Sequence, residues 1–247
     1  MNIAQDFRPA VELEMIDAVR GQGGKLYLLG GRAVQYWCRG RVPSALERES
    51  ADIDFFTTGA SRRMVAEVME AWGCRPEQEF NLLNGKTRLL YYHGATKVDI
   101  FVDSFRMSHP LDLRSRLSDA IPTIAPSDLL LTKLQVFEVN RKDLADAAAL
   151  LLALEGEGPA LPAGVLDYRY VAAKLAADWG LWRTVTLNLG RLIAEVAPVL
   201  DLGSRRRLEQ AVEQLGKTID QHPKSLAWRV RARVGERVRW YEVPEEP

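Results

Sequence analysis

The sequence predicts an α+β protein: a mixed sheet flanked by helices over residues 1–154, then a mainly helical C-terminal domain over residues 165–247. Three observations predict it. In the first half, short runs rich in β-branched and aromatic residues interleave with segments of helical period. Glu155 to Gly164 holds two prolines and three glycines in ten residues, which no helix continues through, so it reads as a linker. Beyond it the apolar spacing is helical almost to the end.

The elements follow in order. Pro9 to Arg20 reads as a helix, with proline at its start, Val11, Met15, Ala18 and Val19 at helical spacing, and Gly21, Gly23 and Gly24 ending it. Lys25 to Leu29 is a strand broken by Gly30 and Gly31, and Ala33 to Cys38 is helical again. Arg39 to Ser50 is a charged loop. Asp52 to Thr57 is a second strand, and Ser61 to Trp72 a helix with Ser61 placed as its N-cap. Thr87 to His93 and Lys97 to Val102 read as a hairpin turning at Gly94. Ile121 to Ile124 is a short strand, and Ser127 opens a helical region reaching about Leu154. Helices are expected over 165–179, 182–200 and 204–220. Ser225 to Tyr241 suits a strand or a helix equally.

Composition removes several classes. With 33 basic and 33 acidic residues and 47% hydrophobic residues, the chain is of ordinary globular type, and disorder is disfavoured. The longest apolar run, Ala147 to Leu154, is too short to span a bilayer as a helix. The N-terminal residues carry no secretory pattern, so a cytoplasmic address is expected, without a membrane partner. Cys38 and Cys74 lie in no Cys or His cluster, which argues against structural zinc or a disulfide framework and makes both small buried hydrophobes. His93, His109 and His222 show no metal spacing and are expected in loops or at the surface. Between Asp201 and Trp240 ten basic residues face five acidic ones, a mild hint of an anionic partner such as RNA.

Aspartates carry the chemistry. In Asp52-Ile-Asp54-Phe-Phe the carboxylates are two apart, so on a strand both face one way. Burying ionised carboxylates without a counter-charge costs several kcal/mol each, roughly, so something positive should sit beside them. Asp99, in Lys97-Val-Asp-Ile-Phe, joins the pair if the two strands are neighbours. Three converging carboxylates suit Mg²⁺, and two such ions could clamp a phosphoryl transfer. Asp-x-Asp is also a common strand end or cap. Upstream, Leu29-Gly30-Gly31 runs from strand to helix, where bare backbone N–H groups make an anion cradle, or simply a tight connection. Arg48 could reach over a triphosphate as a bidentate donor.

Together these motifs resemble the polymerase-β-like nucleotidyltransferase superfamily. The 21 positions from Gly31 to Asp52 resemble in particular its minimal and abortive-infection-toxin-type members. Lys133-Leu followed by Arg141-Lys142-Asp143-Leu-Ala-Asp146 is similar to that family's Lys-Leu helix and Arg/Lys-Asp-x-x-Asp segment. The likeness covers roughly residues 24–154. It implies Asp52, Asp54 and Asp99 as metal-binding and catalytic acids, and Gly30, Gly31, Arg48, Lys133, Arg141 and Asp143 as nucleotide-binding residues. Lys133 would touch the phosphates, and Asp143 would act as a base or organise Lys133. Gly31 departs from the family, where many relatives carry serine. From the residues alone, Arg141 would fall in the apolar stripe of Leu130, Leu134, Phe137 and Leu144 if one helix ran through. Asp143 to Asp146 also reads as a capping-box variant opening a second helix after a kink at Asn140.

The function expected is Mg²⁺-dependent transfer of a nucleoside monophosphate from an NTP, ATP among them, to a hydroxyl of RNA or a tRNA end, a protein or a small molecule. A role as the toxin of a toxin–antitoxin pair, with an antitoxin protein as partner, belongs to the same expectation. Its competitors are a catalytically inactive nucleotide- or partner-binding protein of the same fold, and a phosphohydrolase using the same acids.

Overall fold

The computed structural model describes residues 9–154 and 165–243. The expected linker, 155–164, lies outside the described residues. Helix α1 (Pro9–Gly21) leads into β1 (Leu26–Leu29), every residue of which is buried, and α2 (Gly30–Cys38) follows with no intervening turn. The helix thus begins at the glycines themselves, three residues earlier than its apolar spacing suggests. Next come β2 (Ile53–Thr57), α3 (Arg62–Ala71), the two-residue β3 (Arg75–Pro76), α4 (Gln78–Asn84), β4 (Arg88–His93) and β5 (Thr96–Val102). A small hairpin, β6 (Ser104–Arg106) and β7 (Pro110–Asp112), precedes α5 (Pro126–Leu134) and α6 (Arg141–Ala153).

The main sheet has the order β1-β2-β5-β4-β3. Strands β2 and β5 are parallel and every other pairing is antiparallel, so the sheet is mixed, as expected for an α+β protein. The central pair is apolar on its hidden face: Ile53, Phe55, Val98 and Ile100 are all fully buried. The 121–124 segment contributes only an isolated parallel bridge between Leu28 and Thr123.

The C-terminal region is helical: α7 (Tyr168–Ala177), α8 (Trp179–Glu195), α9 (Leu202–Gln221) and α10 (Leu226–Val234). Its buried residues, among them Val171, Leu175, Val185, Leu192 and Leu208, share one hydrophobic core with α5 and α6. The undecided segment after Ser225 is helical over Leu226–Val234, where the Ser225 side chain caps the helix by accepting from the Trp228 N–H at 3.1 Å, and irregular from Val238 on. No described helix is long and apolar enough to cross a membrane.

One expectation is refined and two are corrected. Ser61 does stand at the N-cap of α3, but its side chain does not close the cap; its Oγ accepts from the Lys25 N–H at 2.9 Å and so ties the start of α3 to the entry of β1. His109 is not a surface residue but is buried, with Nε2 2.8 Å from the Thr184 hydroxyl, which also accepts from Trp240 Nε1 at 3.1 Å. Burial holds its pKa below the usual histidine value, so the ring is neutral and works as a packing and hydrogen-bonding group that joins the β6–β7 hairpin to α8. The helical region after Ser127 is two helices, because residues 135–140 leave the helical path between α5 and α6. Cys38 and Cys74 are free and buried, as expected, with burial pushing their thiols up to about 12 and about 11.

Candidate active site

The parallel pairing of β2 with β5 puts Asp54 directly opposite Asp99. In-register residues of neighbouring strands project to the same face, so these two carboxylates are adjacent although 45 positions separate them in sequence. Asp99 is buried and Asp54 half-buried. Burial, and after it the negative charge of Asp99, raises the Asp54 carboxyl to about 6, with Lys133 and Arg88 pulling the other way. Asp52 precedes β2, is exposed, and forms no ion pair among the described residues.

Both glycines belong to this spot. Gly30 has φ +65°, and a Cβ there would fall on the Asp54 carboxylate. A Cβ on Gly31 would come within 2.8 Å of Ser50 Oγ and 3.0 Å of Arg48 Nη2. The start of α2 is therefore bare backbone pressed against Asp54 on one side and Arg48 on the other, which explains why no side chain is accommodated at either position. Gly30→Ala is expected to destabilise the protein by about 1–2 kcal/mol from the left-handed backbone alone, and by more because Asp54 must move. Thermal unfolding checks this; an unchanged melting temperature contradicts the packing described.

The cationic side chains come from elsewhere. Arg48 Nε and Nη2 grip Asp146 at 2.8 and 2.5 Å. Lys133 Nζ lies 2.7 Å from Asp143 and 2.9 Å from Asp146. Burial alone would lower the Lys133 pKa, but Asp143 and Asp146 outweigh it and hold it above the ordinary lysine value. Arg48 is raised in the same way by Asp146, with contributions from Asp143 and Asp54. Arg48, Lys133, Asp54, Asp143 and Asp146 thus form one electrostatic neighbourhood. The break between α5 and α6 builds it: Asn140 caps α6 by accepting from the Asp143 N–H at 2.9 Å, and its own amide donates to the Asp143 carboxylate at 2.9 Å. The capping pair is therefore Asn140 with Asp143, not Asp143 with Asp146, which leaves Asp146 free for Arg48 and Lys133. Arg141, expected in an apolar stripe only if the helix were continuous, is exposed at the first turn of α6, and no ion pair joins it to the carboxylates among the described residues.

Asp99 is held by a residue that sequence reasoning missed. Arg88 on β4 makes a two-pronged contact with it, Nε to Oδ1 at 2.7 Å and Nη2 to Oδ2, and Lys97 Nζ stands 3.7 Å from Oδ2. The signal was present: a two-residue turn at Gly94-Ala95 pairs His93 with Thr96, which sets Leu90 opposite Asp99 and Arg88 on its diagonal. Asp146, the acceptor shared by Arg48 and Lys133, reads from the sequence only as the far member of a capping box. Gln35 was also missed; its side-chain amide donates to the Arg48 carbonyl and steadies the loop carrying that arginine.

A cavity of about 650 Å³ adjoins this cluster between α2, the loop before β2 and α6, with Arg32, Gln35, Arg48, Ser50 and Asp146 in its wall. Among the described residues no group of three or more His, Cys, Asp or Glu side chains is placed to hold a metal ion unaided. The carboxylates left open, Asp52 and Asp54, do fit Mg²⁺, which binds through one or two carboxylates and completes its shell with water and substrate phosphates.

No family model matches the chain. No curated protein matches it either. Among solved structures, the crystal structure of ANT(2")-Ia in complex with adenylyl-2"-tobramycin is similar with a TM-score of 0.37 and 14% identity, over 92% of this chain and 99% of that one. A tRNA-processing enzyme in its apo form I is similar with a TM-score of 0.31 and 15% identity, over 95% of this chain and 64% of that one.

Proposed function

We propose that this protein is a Mg²⁺-dependent nucleotidyltransferase that moves a nucleoside monophosphate from an NTP to a hydroxyl acceptor, with release of pyrophosphate. The observation carrying this reading is the in-register pair Asp54 and Asp99, with Asp54 packed against the side-chain-free start of α2 and Lys133 and Arg48 in electrostatic reach.

Asp52 and Asp54 would hold the cation, whose chemistry is to draw the phosphates onto the carboxylate edge and neutralise charge developing there. The N–H groups at the start of α2 and the Lys133 ammonium would receive the phosphate oxygens, and Asp143 and Asp146 keep that ammonium charged and aimed. Arg88 fills two of the lone-pair directions of Asp99; the remaining ones can accept a hydrogen bond from the attacking hydroxyl and orient it. Positioning and charge neutralisation of this kind supply most of the acceleration in phosphoryl-type transfers. The cavity beside Arg48 gives room for the part of a ligand not undergoing reaction.

The acceptor belongs to the same proposal: an RNA or tRNA end, favoured by the basic surplus after Asp201, ahead of a protein or small molecule, and with it a role as the toxin of a toxin–antitoxin pair. A second reading, nucleotide binding without transfer, is favoured by one observation: Arg48 and Lys133 already share Asp146.

Incubation with Mg²⁺, each α-labelled NTP and total RNA or total protein tests the proposal. Label should move to an acceptor and vanish with Asp52→Ala. Equal labelling by that variant refutes the assignment, and NTP binding with no pyrophosphate released supports the second reading instead.

A further inference from the structure

Arg88 is not a surface arginine that happens to touch a carboxylate. Its side chain is 15% exposed and that of Asp99 6%. Its guanidinium is also backed by aromatic faces, with Cζ 4.9 Å from the Phe101 ring centre and 5.6 Å from that of Phe80. A two-pronged, largely buried pair of this sort is costly to open from either side.

We infer that Arg88 takes the place of a second metal ion, so that this site works with one divalent cation, on Asp52 and Asp54, and a built-in guanidinium on Asp99. The inference rests on the metal-dependent reading above and sharpens it. In a two-metal site both ions sit about 3.5–4 Å apart and are clamped by shared carboxylates. Here both oxygens of Asp99 already face a cation, and Lys97 adds a second positive group 3.7 Å away. A dication arriving at the remaining lone pairs would meet two fixed positive charges at close range. Sequence geometry makes the arrangement durable: Arg88 is diagonal to Asp99 on an adjacent antiparallel strand and needs no loop to place it.

The test counts Mn²⁺ by electron paramagnetic resonance in complexes of the full chain with a non-hydrolysable α,β-methylene NTP. The wild-type chain should bind one Mn²⁺, and Arg88→Gln should bind two, because the variant keeps the size and a hydrogen bond but frees Asp99 from its cation. Asp99→Asn should leave the wild-type count at one, because the single ion is held by Asp52 and Asp54. Two ions in the wild-type complex overturn the inference while leaving the metal-dependent reading intact, and so does loss of the single ion in Asp99→Asn with the circular dichroism melt unchanged. No bound Mn²⁺ in any of the three overturns both. If Arg88→Gln fails to fold, the wild-type count and Asp99→Asn still decide.

Discussion

Asp54→Asn is expected to lower nucleotidyl transfer by about 10³-fold or more, the scale on which a single preorganised electrostatic contact to the reacting group is lost, while making the protein more stable at pH 7. The two effects have one origin. Burial and the neighbouring Asp99 push the Asp54 carboxyl up to about 6, so at neutral pH the folded chain carries a charge it would rather shed. Each pKa unit corresponds to about 1.4 kcal/mol, so removing the charge should gain on the order of 1–3 kcal/mol. For a chain of this size that raises the melting temperature by roughly 2–10 °C. The sign follows from proton counting. Between the unfolded value near 4 and the folded value near 6 the folded state holds a proton that the unfolded state has released, so this group's contribution falls as pH rises through that window. Glu12, raised by burial to about 7, acts in the same sense but is common to both proteins. The difference between wild type and Asp54→Asn, measured by thermal unfolding from pH 4 to 7, therefore isolates Asp54. A variant less stable than wild type at pH 7 would show that the carboxylate is a net stabiliser and that the strained-acid account is wrong.

Asp146→Ala is expected to have the opposite effect on stability. The Asp146 side chain is 3% exposed and takes hydrogen bonds from Arg48 at 2.8 and 2.5 Å and an ion pair from Lys133 at 2.9 Å. Truncating it leaves an arginine uncompensated and a lysine with Asp143 alone. Breaking a buried pair from one side costs about 3–5 kcal/mol, or roughly 6–20 °C in melting temperature. Asp143→Asn should cost less, because the Asp143 side chain is 22% exposed and Lys133 keeps Asp146. A loss below about 2 °C in Asp146→Ala would mean that the loop bearing Arg48 is not anchored to α6. Both variants should also weaken NTP binding, since each loosens a cation proposed to face the phosphates.

Much of this was readable before any coordinates. The period-two pattern of Ile53 to Phe56 and the hairpin about Gly94 are local signals, set by which residues fit a pleated half-buried surface and a tight turn. The strands they predict are present, with bounds shifted by a residue or two. The argument that buried acids need a positive neighbour, made for Asp52 and Asp54, is answered instead at Asp99, which Arg88 grips, while Asp52 and Asp54 form no ion pair among the described residues.

Which cation answers that need was not readable in the same way. Asp99 is met by Arg88 because strand pairing puts the two on a diagonal, and Lys133 is shared by Asp143 and Asp146 because the chain leaves the helical path after Leu134 and starts again at Asn140. Apolar spacing on either side of that break looks the same whether the helix is continuous or not, so the sequence leaves the place of Arg141 open between an apolar stripe and the first turn of a second helix. The burial of His109 is hidden for a related reason: its partner Thr184 lies 75 positions away, and nothing local announces it. The sequence by itself determined the four longer strands, most of the helices and the presence of acids on apolar strands, because periodicity and desolvation act over a few residues. Only the tertiary structure decided which basic groups answer those acids and which acids stay open to a ligand, because ion pairs are made between side chains that the sheet order and the helix break bring together from distant parts of the chain.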